Sequence, residues 1–366
     1  MKLADKIRKK IFFRYSPQVY FSLDYVLVAP QVLPKALSGK GVVIGVDDLN
    51  REVFFNPLEA PNPHWIIVGK SGAGKSLFIK FVSLGLQKDY QMIFIDPHGD
   101  YNRLVSLGLG GIVFDVEETI FDPLSFVHHA RNTDAALDDL ADIVKEAFNL
   151  SEEERSIVRE ALECMDLTKA LSRLPRFLRT KLKSGFLFFA NKKKIDIGEL
   201  IAERTHFSLS FRAEVGEPLR PVIAKFITGL FLKNLIHFIW GREKHRPERI
   251  VVIDEAHNVL SYQEFLVKLF EEVRKTGTGI WASSQNLDNF SIRHLDLVGG
   301  MVVLSPVSRR TLYKLDGFYD FSLADKHFIE TKSPREEWFP EKCLLIYSGR
   351  RPIRVFLKIG KEVLKY

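Results

Sequence analysis

The sequence predicts an α/β chain built on a mainly parallel sheet, with an inserted helical subdomain and small β-hairpin additions. Seven short apolar runs without strict alternation, WIIV, MIFI, GIVF, FSLSF, IVVI, IWAS and MVVL, recur from Trp65 to Leu304 between helical patterns, as strands buried on both faces of a parallel sheet do. About 90 residues between GIVF and FSLSF carry helical periodicity, broken by Pro123, Pro175 and Gly185. With 366 residues, 46% apolar and 27% charged, the composition is that of a globular chain and excludes collagen, disorder and a membrane bundle.

Each element follows in order. The opening stretch places Lys2, Lys6, Arg8, Lys9, Lys10 and Arg14 around Leu3, Ile7, Ile11 and Phe12, an amphipathic pattern that suits lipid headgroups, DNA or a neighbouring subunit alike. It lacks the apolar core of a secretory signal, which leaves the cytoplasm as the expected address, with peripheral membrane contact open. VVIGV and REVFF flank the turn-rich Asp47, Asp48, Leu49 and Asn50, a β-hairpin with an acidic tip. Pro57, Pro61 and Pro63 then form a stiff link. The greasiest stretch, Phe226 to Trp240, is interrupted by Lys233, Asn234 and His237; it falls short of the ~20 clean apolar residues of a bilayer span and reads as a buried helix. CLLIYS and IRVFL, separated by GRRP, form a closing hairpin. Cys164 and Cys343 stand apart and outside any CxxC, so neither a disulfide framework nor a zinc set is present. The expected organisation is a basic segment at 1–40, a core at 41–127, the helical insertion at 128–205 and the rest of the core at 206–366.

Net charge is +7, a moderate excess that favours polyanionic partners. Residues 134–163 carry ten acids and three bases, whereas residues 169–194 carry nine bases, no acid, and interleaved Phe177, Phe186, Phe188 and Phe189. Two readings stay open: an acidic and a basic arm that pair with each other, or a basic arm that contacts phosphate.

Gly69-Lys70-Ser71-Gly72-Ala73-Gly74-Lys75-Ser76 fits GxxxxGK[ST] and lies between the strand WIIV and the helical stretch from Leu77. Its glycines let successive amides face phosphate oxygens, and the following helix adds positive potential. Residues 69 and 71–77 (Gly69, Ser71, Gly72, Ala73, Gly74, Lys75, Ser76 and Leu77) are the expected nucleotide contacts. Lys75 reaches the β and γ oxygens of ATP, and Ser76 offers its hydroxyl to Mg²⁺.

A second motif, Ile250-Val-Val-Ile-Asp254-Glu255, is a strand ending in two carboxylates. Alternation sends them to different tasks: Asp254 to the Mg²⁺ shell, Glu255 to orient and deprotonate the attacking water. Farther on, Arg274-Lys-Thr-Gly-Thr-Gly leads into a strand whose tip presents Gln285, placed to sense a γ-phosphate or simply to start a polar loop. Arg274 either offsets a helix dipole or serves as an arginine finger for an adjacent subunit.

In order and spacing, HWIIVGKSGAGKS, IFIDPHGDY, IVVIDEAHNVL and RKTGTGIWASSQN resemble the HerA/FtsK superfamily of RecA-like P-loop motor ATPases, nearest to its HerA and VirB4 branches. The string DEAH also occurs in superfamily 2 helicases, but their late QxxGRxGR element is missing from this sequence. The resemblance covers about residues 41–358. It implies a ring, usually a homo-hexamer, that hydrolyses ATP with Mg²⁺ to move DNA, most naturally double-stranded, or that energises a conjugation, type IV secretion or pilus machine with a secretion or nuclease partner. It supports Lys75, Ser76, Asp254, Glu255, Gln285 and Arg274 in the roles given above. It also makes Asp96-Pro97-His98-Gly99-Asp100 a family segment near the site, with His98 as a turn histidine. The chain departs from the family in having only about 60 residues before the core, too few for the β-barrel of many HerA proteins, and in lacking transmembrane helices and the long N-terminal domain of VirB4. Two rivals remain: an ATPase with protein cargo, and a nucleotide-gated oligomeric binding module with little turnover.

Overall fold

The computed structural model describes residues 41–56, 60, 62–211, 221–239, 248–256, 270–288, 290, 292–319, 321–330, 341–347 and 351–366. The chain divides into two compact units, Met1–Pro34 and Lys35–Tyr366, and all described residues belong to the second. The basic segment 1–40, Pro57, Pro61 and the Gly349-Arg350 half of GRRP lie outside the described residues.

The strands in chain order are β1 (Val42–Val46), β2 (Glu52–Phe55), β3 (Trp65–Val68), β4 (Gln91–Asp96), β5 (Ile112–Asp115), β6 (Thr119–Phe121), β7 (Lys193–Ile195), β8 (Phe207–Ser210), β9 (Arg249–Ile253), β10 (Thr278–Ser284), β11 (Gly300–Leu304), β12 (Lys342–Tyr347) and β13 (Ile353–Leu357). Eleven of them form one sheet in the order β2-β1-β13-β12-β11-β3-β10-β9-β4-β8-β5. The run from β11 to β5 is parallel throughout, and it contains the seven apolar runs read from the sequence. Six of these strands are buried along their whole length. β5 closes the sheet edge and is only partly covered, with Ile112 exposed.

The two hairpins expected at the ends of the core merge. β12 pairs antiparallel with β11 and β13, and β13 pairs antiparallel with β1, so both hairpins extend one sheet. The acidic tip is neutralised locally: Asp47 is buried and accepts hydrogen bonds from Leu49 N, Arg51 N and Arg51 Nε, while Asp48 pairs with Arg354 at 3.1 Å.

Helix α1 (Lys75–Leu86) follows β3. The insertion between β5 and β8 is closed at its base by the parallel pair β6–β7, with Thr119 opposite Lys193 and Phe121 opposite Ile195. The expected limits of 128–205 leave β6 on the core side and β7 inside the insertion. Its helices are α2 (Thr133–Phe148), α3 (Glu152–Leu162), α4 (Leu167–Arg173), α5 (Arg176–Leu187) and α6 (Ile197–Ala202). Their starts are written in the chain. Asn132 and Asp166 accept from the third residue inward, Ser151 and Glu154 form a reciprocal capping box, and Pro175 occupies the cap of α5.

Gly185, read as a helix break, instead lies inside α5. A Cβ there would come within 2.3 Å of Phe148 Cζ, so the glycine is a close-packing point between α5 and α2, where its low helix propensity is overridden.

The apolar stretch from Phe226 forms α7 (Pro221–Ile239), which is long and apolar enough to cross a membrane by composition, yet is 72% buried inside the protein over that window. Its polar interruptions explain why it stays in the core. Asn234 is fully buried; its Oδ1 accepts from Phe126 N at 3.0 Å and its Nδ2 donates to Leu230 O at 2.9 Å. Lys233 reaches Asp139 at 3.0 Å and Glu272 at 3.3 Å. Insertion helices, α7 and the sheet share one continuous apolar cluster, so the insertion has no separate core.

Replacing Asn234 by Leu removes the acceptor for the buried Phe126 N–H, at a cost of about 1–3 kcal/mol. The expected result is a thermal midpoint lower by several degrees, at about 2–4 °C per kcal/mol. A midpoint equal to or above that of the parent protein would show that hydropathy alone governs this helix.

Candidate active site

The loop 69–74 takes its shape from both neighbours of β3. Gly69 N donates to Ser284 O at 3.3 Å, at the end of β10, and Lys70 N donates to Pro306 O at 3.0 Å, just past β11. Gly69 itself has no room for a side chain: a Cβ would lie 2.9 Å from Ala73 Cβ and 3.1 Å from Leu304 O. Gly72 and Gly74 hold φ of 75° and 82°, in the left-handed region where a side chain is strained. Gly74 caps α1 without a side-chain hydrogen bond, and no acid stands in the first turn. The helix therefore presents unneutralised N–H groups and the positive end of its dipole to the loop.

Lys75 begins α1 with its side chain buried. Nζ donates to the loop carbonyls of Gly69 at 3.1 Å and Lys70 at 3.4 Å. Burial lowers its pKa, and the negative charges of Glu255 and Asp254 oppose that shift. Those two carboxylates arrive from β9, two strands away in the sheet.

Asp254 N continues the ladder by donating to Ile95 O at 3.1 Å, and its side chain is 2% exposed. Burial raises its pKa, an effect opposed by the Ser283 hydroxyl alongside and reinforced by Glu255. Its Oδ1 has no hydrogen-bond partner among the described residues. A buried carboxylate oxygen left so is costly unless a cation or its hydration water completes it. With the Ser76 hydroxyl at the start of α1, this gives the oxygen donors that suit Mg²⁺.

Strand alternation does not separate Asp254 from Glu255, because β9 already ends at Ile253. The separation comes from the backbone: Glu255 has φ of 44°, a left-handed turn uncommon outside glycine. Its Oε1 accepts a hydrogen bond from Gln285 Nε2 at 3.1 Å. Gln285 directly follows β10, so the ends of two adjacent parallel strands are joined through their side chains.

The segment after β4 has a definite structural task. Asp96 is fully buried; its Oδ1 accepts from His98 N at 3.3 Å and Asp100 N at 3.0 Å, and its Oδ2 accepts from Tyr101 N at 2.8 Å. Burial lifts its pKa to about 7 against these backbone hydrogen bonds, and nearby Asp254 adds to the rise. His98 sits exposed in the turn that this carboxylate ties. The turn delivers Tyr101, which is buried and stacked on Phe94 with ring centroids 5.0 Å apart. Its hydroxyl faces the Ser76 side chain, the polar group that acts on it as a hydrogen-bond partner, and has no other partner among the described residues. Tyr101 escaped the sequence reading because nothing in its spacing marks it; only the folded turn brings it under Ser76.

Arg274 lies elsewhere. It is exposed in the helical stretch 270–275, and its charge bears on His64. His64 is a buried strut at the start of β3. Its Nδ1 accepts from Ile280 N at 3.0 Å, which leaves Nε2 to donate to Phe270 O at 2.9 Å. Burial, opposed by that backbone bond and aided by Arg274, drops its pKa to about 3, so the ring is neutral. Arg274 precedes the seven residues of β10 and Gln285 follows them, which puts about 20 Å of strand between the two. The structure thus gathers Lys75, Ser76, Asp254, Glu255 and Gln285 at one rim of the sheet and leaves Arg274 at the other.

The chain is similar in sequence or fold to several known proteins. Residues 42–213, just under half of the chain, match the family model described as helicase HerA, central domain. The fold is similar to that of VirB4 of Thermoanaerobacter pseudethanolicus, at 16% identity and a TM-score of 0.70, covering 89% of this chain and 98% of that one. It is also similar to the bacterial conjugative coupling protein TrwBdeltaN70, at 16% identity and a TM-score of 0.59, covering 89% and 91%. A curated protein of Aquifex aeolicus (strain VF5), "Uncharacterized protein aq_aa31", is 34% identical over 79 residues; the match spans 19% of this chain and 29% of that protein's length. Taken with the phosphate loop braced between β10 and β11, the match over residues 42–213 and the shared fold support the HerA/FtsK superfamily of P-loop ATPases.

Proposed function

We propose that the protein is an ATP-hydrolysing motor that works as a ring and moves DNA. The observation that carries the catalytic part is the Gln285–Glu255 hydrogen bond at 3.1 Å, on the same rim as the loop that positions Lys75. A carboxylate tied to an amide on the neighbouring strand tip is a base whose position reports on a polar sensor. The DNA part draws support from the likeness to a conjugative coupling protein and from the net positive charge.

The loop amides 69–74 and Lys75 hold the β- and γ-phosphates. Ser76 and, through water, Asp254 would hold Mg²⁺, which draws charge from the phosphate oxygens when bound. Glu255 orients the attacking water and takes a proton from it, and Gln285, hydrogen-bonded to Glu255, senses the γ-phosphate. The reaction is in-line displacement, with acceleration supplied mainly by fixed charges and donors. Arg274, at the opposite rim, is out of reach of its own nucleotide. It serves as a finger to the nucleotide of an adjacent subunit. Tyr101 positions the Ser76 end of the site.

Four outcomes test this reading. Glu255→Gln is expected to bind ATP at near-parental affinity and to hydrolyse it about 100-fold or more slowly, whereas Lys75→Ala weakens both; a parental rate in Glu255→Gln would remove the base assignment. Arg274→Ala protein mixed with Lys75→Ala protein should regain hydrolysis if the finger acts between subunits, and no recovery at any mixing ratio counts against it. Tyr101→Phe should raise the Mg²⁺ concentration needed to tighten nucleotide binding by about tenfold and leave metal-free binding unchanged; an unaltered Mg²⁺ dependence would make the ring a packing group only. Hydrolysis measured with and without double- and single-stranded DNA, together with the mass of the ATP-bound assembly, addresses the motor directly, and a monomer indifferent to DNA would defeat it.

A further inference from the structure

The insertion's charges do not cancel in the way that equal and opposite arms would. The acids of α2 and α3 are met mainly by bases from the same two helices and from α7. Arg159 pairs with Asp134 at 3.0 Å, Asp138 at 3.1 Å and Glu163 at 3.3 Å; Arg155 pairs with Asp138 and Asp142; Lys233 pairs with Asp139. From the basic arm, Lys181 reaches Glu154 at 3.5 Å and Lys169 reaches its own cap, Asp166, at 4.0 Å.

The face made by α4 and α5 keeps its positive charge. Leu178, Leu182, Gly185 and Phe186 bury one side of α5, which turns Arg176, Thr180 and Lys183 outward. Arg173, Arg176 and Lys183 are exposed and form no ion pair among the described residues. Arg179 is fixed but not neutralised: its Nη2 donates to the carbonyls of Ser172 at 2.9 Å and Leu174 at 3.0 Å, and thereby clamps α5 to the end of α4. Phe177, 58% exposed, sits beside these cations. No acid occurs between residues 167 and 195 to offset them.

We infer that this face of α4–α5 is a contact surface for the phosphate backbone of double-stranded DNA. Arg176 and Lys183 share one helix stripe two turns apart, about 10 Å, which is about three nucleotide steps along a duplex strand. A rigid helix hairpin with fixed cation spacing matches a backbone of fixed geometry. Guanidinium and ammonium groups without intramolecular partners gain most from displacing its counterions. The surface lies on helices of the insertion that carry none of Lys75, Asp254, Glu255 or Gln285, so it holds cargo without entering the chemistry. The inference rests on the DNA-motor reading.

The test compares the full-length protein with the triple variant Arg173→Gln, Arg176→Gln, Lys183→Gln. Fluorescence anisotropy with a labelled duplex is run across a salt series, beside hydrolysis without DNA and a thermal melt. The triple variant should keep its melt and DNA-free hydrolysis, bind duplex about tenfold or more weakly, and show a log Kd against log salt slope smaller by about 3. If the parent protein binds duplex and is stimulated by it while the triple variant matches it in affinity and slope, the surface assignment is wrong and the motor reading stands. If the parent protein neither binds DNA nor responds to it, both fail. If binding lost in the triple variant is confined to single strands, the duplex assignment is overturned.

Discussion

The pairing of β3 with β10 on one side and β11 on the other is the constraint on which the site depends. A phosphate loop is a backbone device, and its amides are useful only if the loop is held open at a fixed curvature. Here the curvature is held from outside, by the carbonyls of Ser284 and Pro306, each at the end of a neighbouring strand. Because all three strands run parallel, the same register that seats the loop also sets Gln285 at the loop's rim. One further strand brings Asp254 and Glu255 to the same rim. The chemistry is therefore assembled by main-chain pairing between segments more than 200 residues apart in sequence, with the side chains following.

Much of this was legible before folding, for reasons that differ by residue. The strands could be read because a strand buried on both faces has to be apolar at consecutive positions. The loop could be read because its glycines are demanded by backbone geometry and its lysine by charge. What could not be read depended on contacts between distant segments. Gly185 looks like a break until Phe148 is seen against it. Two terminal hairpins look independent until β1 and β13 are found side by side. Tyr101 carries no local signal, and the left-handed turn at Glu255, which replaces simple alternation as the means of parting two carboxylates, is invisible in a string of letters.

The insertion shows the same division between local and distant rules. Its helix starts follow capping residues that any reader can find at Asn132, Ser151 and Asp166. Its charge balance does not follow from counting. Ten acids beside nine bases invite a picture of two matched arms, but two arginines placed a helical turn apart on α3 take up much of the acidic side. α7 lies at the centre of this arrangement, apolar enough for lipid and yet covered by protein, which ties insertion and sheet into one folding unit.

β10 has a consequence of its own. It is buried at every position, is held near its start by Ile280 N on His64, and has Arg274 before one end and Gln285 after the other. A close-packed strand of this kind resists bending and stretching, so it behaves as a short strut. In the ring proposed above, with one tip at a subunit's own nucleotide and the opposite tip toward the next, a strut of fixed length would convey a push at either end to its far side. News of cleavage could then pass from pocket to pocket around the circle without any separate messenger element.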